Sequence, residues 1–154
     1  MTGNWAGGSK LRGLYVGVSA VVVREGCVLL GQRRGAHGAG TWAFPGGKLA
    51  PGENPADAAR RELLEETGLR ATKVKPLVWT SDVLREDGLH FITLHHYASA
   101  DDGEPRVREP DKAAVWAWVQ WEDPPRPVFA PTASLFATGW SPPRVGSAGH
   151  LGRV

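Results

Sequence analysis

One strong helix signal stands among runs that read as strands, and it constrains this chain more than any other feature. Asn54-Pro55 has the form of an N-cap with proline at the first helical position, and Gly68 has the form of a C-cap. The spacing predicts a helix from Pro55 to about Thr67, with Ala56, Ala59 and Leu63 on one face, suited to packing on a sheet. Strands are expected at 14–24 and 27–33, joined by the Glu25-Gly26 turn as a hairpin, and a short one around Trp42 to Phe44. Further strands follow near 72–81, 89–98 and 114–121, and a short helix is expected at 132–138 after the stiff connector of Pro124, Pro125 and Pro127. One compact domain over 14–140 results, with a loose Gly-rich tail at 1–13 and a disordered Pro- and Gly-rich tail at 141–154.

A chain of 154 residues leaves little room for a second core. Eighteen Lys and Arg against sixteen Asp and Glu leave a net charge of +2, which excludes a polycation that binds nucleic acid through charge alone. The single cysteine, Cys27, excludes a disulfide framework and any multi-cysteine metal site, and it reads as a small hydrophobe. The apolar run from Leu14 to Val23 is too short for a membrane span. It leads through Arg24-Glu25-Gly26 into another apolar stretch, with no small-residue cleavage site. A cytoplasmic protein is the expectation.

The chemistry concentrates on the helix. Glu62, Glu65 and Glu66 fall at i, i+3 and i+4, so their carboxylates are expected to converge. Like charges at that spacing repel, and these sit at the C-terminal end, which disfavours negative charge. A bound cation would offset both penalties; a solvated acidic face balanced by Arg60 and Arg61 is the plain alternative. The preceding Pro45-Gly46-Gly47 favours the cation, because it offers backbone carbonyls and close approach. Hard oxygen ligands of this kind suit Mg²⁺, for which Mn²⁺ can substitute.

From Gly47 to Leu69 the chain reads Gly-x5-Glu-x7-Arg-Glu-Leu-x-Glu-Glu-x-Gly-Leu, and at every defined position it resembles the Nudix box. The likeness extends to Val28-Leu-Leu-Gly-Gln-Arg-Arg34, Gly38 to Gly47, Glu109-Pro-Asp-Lys112 and Trp116-Ala-Trp118. It is most similar to MutT-related nucleotide diphosphatases of the small eukaryotic sanitising and plant cytosolic kinds. The resemblance implies an α+β Nudix fold, an α/β/α sandwich with a mixed β-sheet. It also implies that Glu62, Glu65, Glu66 and the Gly46 carbonyl hold the metal, while Glu53 and Arg61 orient loop and helix through a salt bridge. Relatives often carry a glutamate where this chain has Ala114, which leaves Glu109 and Asp111 as candidates for a further carboxylate. A homodimer is also implied.

Arg33 and Arg34 close a strand beside the glycine loop, and Arg33 is the candidate for the phosphates; a solvated strand end is the alternative. Gly47 and Lys48 border the same loop, although Leu49 excludes a Walker A motif. Trp42 is expected to stack on a substrate ring, with Trp116 and Trp118 nearby, while some of the seven tryptophans must be core. His95 and His96 are adjacent in a strand and point to opposite faces, so they make poor joint zinc ligands. The reading is a Mg²⁺-dependent hydrolase that splits a nucleoside triphosphate, such as 8-oxo-dGTP, into the monophosphate and pyrophosphate. A diphosphatase for geranyl diphosphate or dihydroneopterin triphosphate is the alternative, and a nucleotide sensor without turnover is the rival from another class.

Overall fold

The computed structural model describes residues 10–35 and 37–144. In chain order the elements are β1 (Gly13–Arg24), β2 (Cys27–Arg33), β3 (Trp42–Ala43), β4 (Gly46–Lys48), α1 (Pro55–Thr67), β5 (Ala71–Leu84), β6 (Leu89–Ala100), β7 (Ala113–Gln120) and α2 (Ala130–Phe136). Glu25 and Gly26 both take positive φ, as a tight turn between strands requires, yet β1 and β2 pair only over Val23↔Val28 and Arg24↔Cys27. The rest of β1 departs from the hairpin to lie parallel to β6 from Gly13↔Leu89 to Val22↔Ala98. β5 pairs antiparallel with β6, β4 with the middle of β1, and β3 and β7 with β2. The sheet is therefore mixed and divides between a β4-β1-β6-β5 half and a β3-β2-β7 half.

The alternation along β1 separates two cores. Ala20 and Val22 face α1 and pack with Ala59, Leu63, Leu69 and Ala98, while Val21 faces the other way into a cluster with Leu30, Phe44, Trp121 and Leu135 of α2. Helices thus cover both faces, and the expected sandwich is what forms.

The helix begins and ends where its caps dictate. Asn54 Oδ1 accepts from the Ala56 amide at 2.9 Å, and Gly68 adopts φ 79° while its amide donates to the Leu64 carbonyl. Two of the three expected stripe residues, Ala59 and Leu63, are fully buried, and Ala58 joins them, whereas Ala56 is half-buried. Glu62, next to Leu63, is turned inward, to 6% exposure.

The strand expectations hold to within three residues, but β4 had no pattern of its own, since Gly46-Gly47-Lys48 forms a strand only because β1 lies beside it. The expected N-terminal tail mostly lies outside the described residues, although Arg12 already donates to the Gly88 carbonyl at 2.7 Å. At the other end, Trp140 packs edge-on against Trp121 at 5.1 Å and Pro142 is buried, so ordered packing runs past residue 140; residues 145–154 lie outside the description. Among the described residues, no helix is long and apolar enough to cross a membrane.

Candidate active site

Arg61 organises the carboxylates. Its guanidinium grips Glu53 through two hydrogen bonds, Nε to Oε2 at 2.7 Å and Nη2 to Oε1 at 2.9 Å. It also donates to Glu62 Oε1 at 2.8 Å and to Glu65 Oε2 at 3.3 Å. These partners raise the Arg61 pKa further, and the same bond holds the Glu53 carboxyl below its ordinary value. Glu53 Oε1 accepts the Ala50 amide and Arg61 reaches the Lys48 carbonyl, so the loop after β4 is tied to α1 at both ends. That is the orienting salt bridge the resemblance implied.

The three glutamates of the helix do not converge equally. Glu62 and Glu66 face β4, where Glu66 Oε2 accepts from the Gly46 amide at 3.4 Å and Glu62 fills the space a Gly47 side chain would take. A Cβ on Gly47 would stand 2.5 Å from the Glu62 carboxyl. Glu65 instead points outward, half exposed, to Arg61. A fourth carboxylate joins from the chain between β6 and β7. Glu109 Oε2 accepts from Lys112 Nζ at 3.1 Å, while its buried Oε1 has no hydrogen-bond partner. Burial, then the charges of Glu62 and Glu109, push the Glu66 pKa up to about 9. A buried carboxylate oxygen without a partner beside two further acids is a donor set short of a cation, and hard oxygen donors fit Mg²⁺ or Mn²⁺. No three His, Cys, Asp or Glu among the described residues form a finished ligand shell. Arg61 holds Glu65 apart from Glu62 and Glu66.

Against this acidic cluster opens a cavity of about 180 Å³. Gly46, Gly47, Lys48 and Arg33 form one end; Phe44, Phe91 and Phe129 wall it, and Ser19, Thr93 and His95 lie on the sheet side. Ligand sites commonly enclose roughly 300 Å³ or more, so this space is large enough for about one ring system. The Arg33 guanidinium lies 4.0 Å over the Phe129 ring, and its Nε donates to the His37 carbonyl at 3.0 Å. Burial lowers its pKa, while the Glu66 charge acts in the opposite sense. Lys48 Nζ sits over the Tyr15 ring at 4.4 Å. Arg34 is exposed and donates to the Pro110 carbonyl, away from the cavity.

The tryptophan expectation needs correcting. Trp42 is not among the residues that line the cavity; its ring packs on the α2-side core, in the same cluster as Phe44. Its backbone acts instead: the amide donates to the Pro127 carbonyl and its carbonyl accepts from the Phe129 amide, both at 2.9 Å, which sets Phe129 at the cavity. Trp116 and Trp118 pack on the α1-side core, Trp116 filling the space that a side chain at Gly31 would need. The phenylalanine wall escaped the sequence because Phe44, Phe91 and Phe129 are far apart along the chain and only the fold gathers them. Ser19 and His95 were missed for the same reason. Glu109 alone carried a signal, through Glu109-Pro-Asp-Lys112.

The NUDIX domain family matches residues 13–138. The chain is 35% identical over 100 residues to the CTP pyrophosphohydrolase of Escherichia coli, covering 64% of this chain and 72% of that protein. It is 55% identical over 49 residues to the oxidized purine nucleoside triphosphate hydrolase of Danio rerio, 32% of this chain and 31% of that one. The chain spans about a third of the length of that relative, and of an RNA pyrophosphohydrolase that it also matches. Among solved structures, a MutT NUDIX hydrolase from Burkholderia pseudomallei superposes with a TM-score of 0.78 at 32% identity, over 84% of this chain and 100% of that one. A box intact from Gly47 to Leu69, a sandwich of the same form and a family match over nearly the whole described domain lead to one assignment: the chain belongs to the Nudix family.

Proposed function

We propose that this protein is a pyrophosphohydrolase that takes the heterocycle of a nucleoside triphosphate into the phenylalanine-walled cavity and cleaves between the α- and β-phosphates, releasing the monophosphate and pyrophosphate. The single observation that supports this best is the adjacency of the two halves of the site. An aromatic recess for one ring opens directly on Gly46-Gly47 and the Glu62, Glu66 and Glu109 carboxylates. The names of the relatives, which include nucleoside triphosphate hydrolases, agree with it.

Mg²⁺, held by Glu62, Glu66 and the Gly46 carbonyl with Glu65 turning in, would polarise the phosphoryl oxygens and offset their charge. Arg33, at the mouth between cavity and acids, is placed to hold a phosphate oxygen. Lys48 and the Gly47 backbone border the same path. Glu109 is the better base of the two candidates. Glu62 is already committed to Arg61 at 2.8 Å, whereas Glu109 Oε1 is unpaired and can take the proton from the attacking water. Water oxygen then bonds to phosphorus, the bridging oxygen departs with pyrophosphate, and the proton stays on Glu109 until release. Action as a homodimer in the cytoplasm completes the reading.

The test is kcat/KM with Mg²⁺ for CTP, dGTP, 8-oxo-dGTP, dihydroneopterin triphosphate and geranyl diphosphate under one condition. A heterocyclic triphosphate, purine or pterin, is expected to lead. Preference for geranyl diphosphate would replace this reading with that of a prenyl diphosphatase, and binding without turnover would indicate a sensor.

A further inference from the structure

Ser19 of β1, Thr80 of β5 and His95 of β6 share the sheet face that forms the cavity floor. Ser19 Oγ lies 2.7 Å from His95 Nδ1, and Thr80 Oγ1 lies 2.9 Å from Nε2. All three are buried; Ser19 and His95 line the cavity, and Thr80 lies behind the ring. Burial, with a smaller contribution from His96, lowers the His95 pKa to about 4, so the imidazole is neutral near pH 7.

A neutral imidazole has one N–H and one lone pair, and its two tautomers impose opposite roles on its neighbours. With the proton on Nδ1, the ring donates to Ser19 Oγ, Thr80 donates to Nε2, and the Ser19 proton is free to turn towards the cavity. With the proton on Nε2, the ring donates to Thr80, Ser19 donates to Nδ1, and the cavity meets only the lone pairs of Ser19. Both ring nitrogens stay paired in either state, because each faces a hydroxyl that can give or accept.

We propose that Ser19, His95 and Thr80 form a reversible hydrogen-bond relay that determines which ring edges the cavity accepts, Ser19 donating to a ring carbonyl in one state and accepting from a ring amino group in the other. The relay rests on the nucleotide reading above and deepens it, since it makes this chain tolerant of heterocycles with opposite edge polarity. Adenosine and inosine triphosphates are the probe: position 6 carries an amino donor in one and a carbonyl acceptor in the other, and the adjacent N1 changes in the opposite sense. Wild-type kcat/KM values for the two are expected within about tenfold of each other.

Thr80→Val keeps the shape and removes the partner of Nε2. An unpaired buried N–H is rarer in proteins than an unpaired acceptor, so the proton settles on Nδ1 and Ser19 becomes a fixed donor. The inosine-to-adenosine ratio of kcat/KM should then rise at least about fivefold over wild type, and Thr80→Ser should restore it. Independently of turnover, the ring ¹⁵N shifts of His95 in the wild-type protein should move in opposite directions on adding inosine or adenosine monophosphate. That measurement decides the matter if Thr80→Val does not fold. An unchanged ratio in folded Thr80→Val, or ¹⁵N shifts that move alike with both nucleotides, overturns the relay and leaves nucleotide hydrolysis standing. Wild-type protein that turns over neither triphosphate but does turn over a prenyl diphosphate overturns both.

Discussion

Glu66 and His95 stand on opposite sides of the Gly46 loop, and burial acts on them with opposite signs. Glu66, pushed up to about 9, keeps a proton in the folded metal-free protein that the unfolded chain releases near 4.5. Its contribution is present below the unfolded value and is lost as pH rises towards 9. Glu66→Gln should therefore melt higher than wild type at pH 8 in chelator, read by calorimetry, yet lose at least about a hundredfold in Mg²⁺-dependent kcat. A Glu66→Gln protein that is less stable than wild type there would mean the side chain is structural. His95 runs the other way. Its folded pKa of about 4 lies below the usual 6.5, so its contribution is complete above pH 6.5 and is lost as pH falls towards 4. At about 1.4 kcal/mol per unit this amounts to about 3 kcal/mol, and His95→Asn should flatten the acid limb of a stability–pH curve. The two slopes overlap below pH 6.5, and the single variants separate them.

At the scale of elements, the three residues of β4 are held by β1 on one side and α1 on the other, which is why glycine occupies both 46 and 47. A Cβ at Gly46 would run into the Val18 carbonyl oxygen, a backbone atom that cannot swing away. Gly46→Ala should cost about 1–3 kcal/mol of stability by shifting β1, measured by denaturant unfolding. The atoms nearest a Cβ at Gly47 are those of the Glu62 carboxyl, the end of a movable side chain. Gly47→Ala should therefore fold with a smaller stability loss while kcat falls at least about tenfold, because Glu62 is moved off its position. Equal stability losses in the two variants would show that the loop senses volume alone. Arg61 belongs to this scale too, since one guanidinium ties the loop after β4 to two turns of α1.

For the whole molecule, the sandwich makes metal binding and stability a single equilibrium. Glu62 lies one residue from Leu63, which is fully buried between α1 and the sheet. Leu63→Ala should cost about 2–5 kcal/mol through the cavity it leaves. Mg²⁺ at a hundredfold above its Kd should return about 2.7 kcal/mol to any variant that keeps the carboxylates, observed as a rise in Tm. The same addition should leave the Tm of a Glu62→Gln, Glu66→Gln double variant nearly unchanged. A Mg²⁺ response in that double variant equal to wild type would place the cation elsewhere.

What could be read from the residues alone was local. Caps at Asn54 and Gly68, the i, i+3, i+4 glutamates and the Glu53–Arg61 spacing lie within one helix and its loop, where 3.6 residues per turn converts sequence separation directly into distance. Tertiary structure decided everything that depends on partners far along the chain. It buried Ala58 beside the expected Ala59 and Leu63, turned Glu62 inward and left Glu65 half exposed. It made a strand of Gly46-Gly47-Lys48, sent Trp42, Trp116 and Trp118 to the two cores and brought phenylalanines from β6 and two loops to the cavity. It also set His95 between hydroxyls 76 and 15 residues away in sequence. Such contacts follow from sheet register and from which side of a strand a core covers, and no window along the chain contains either.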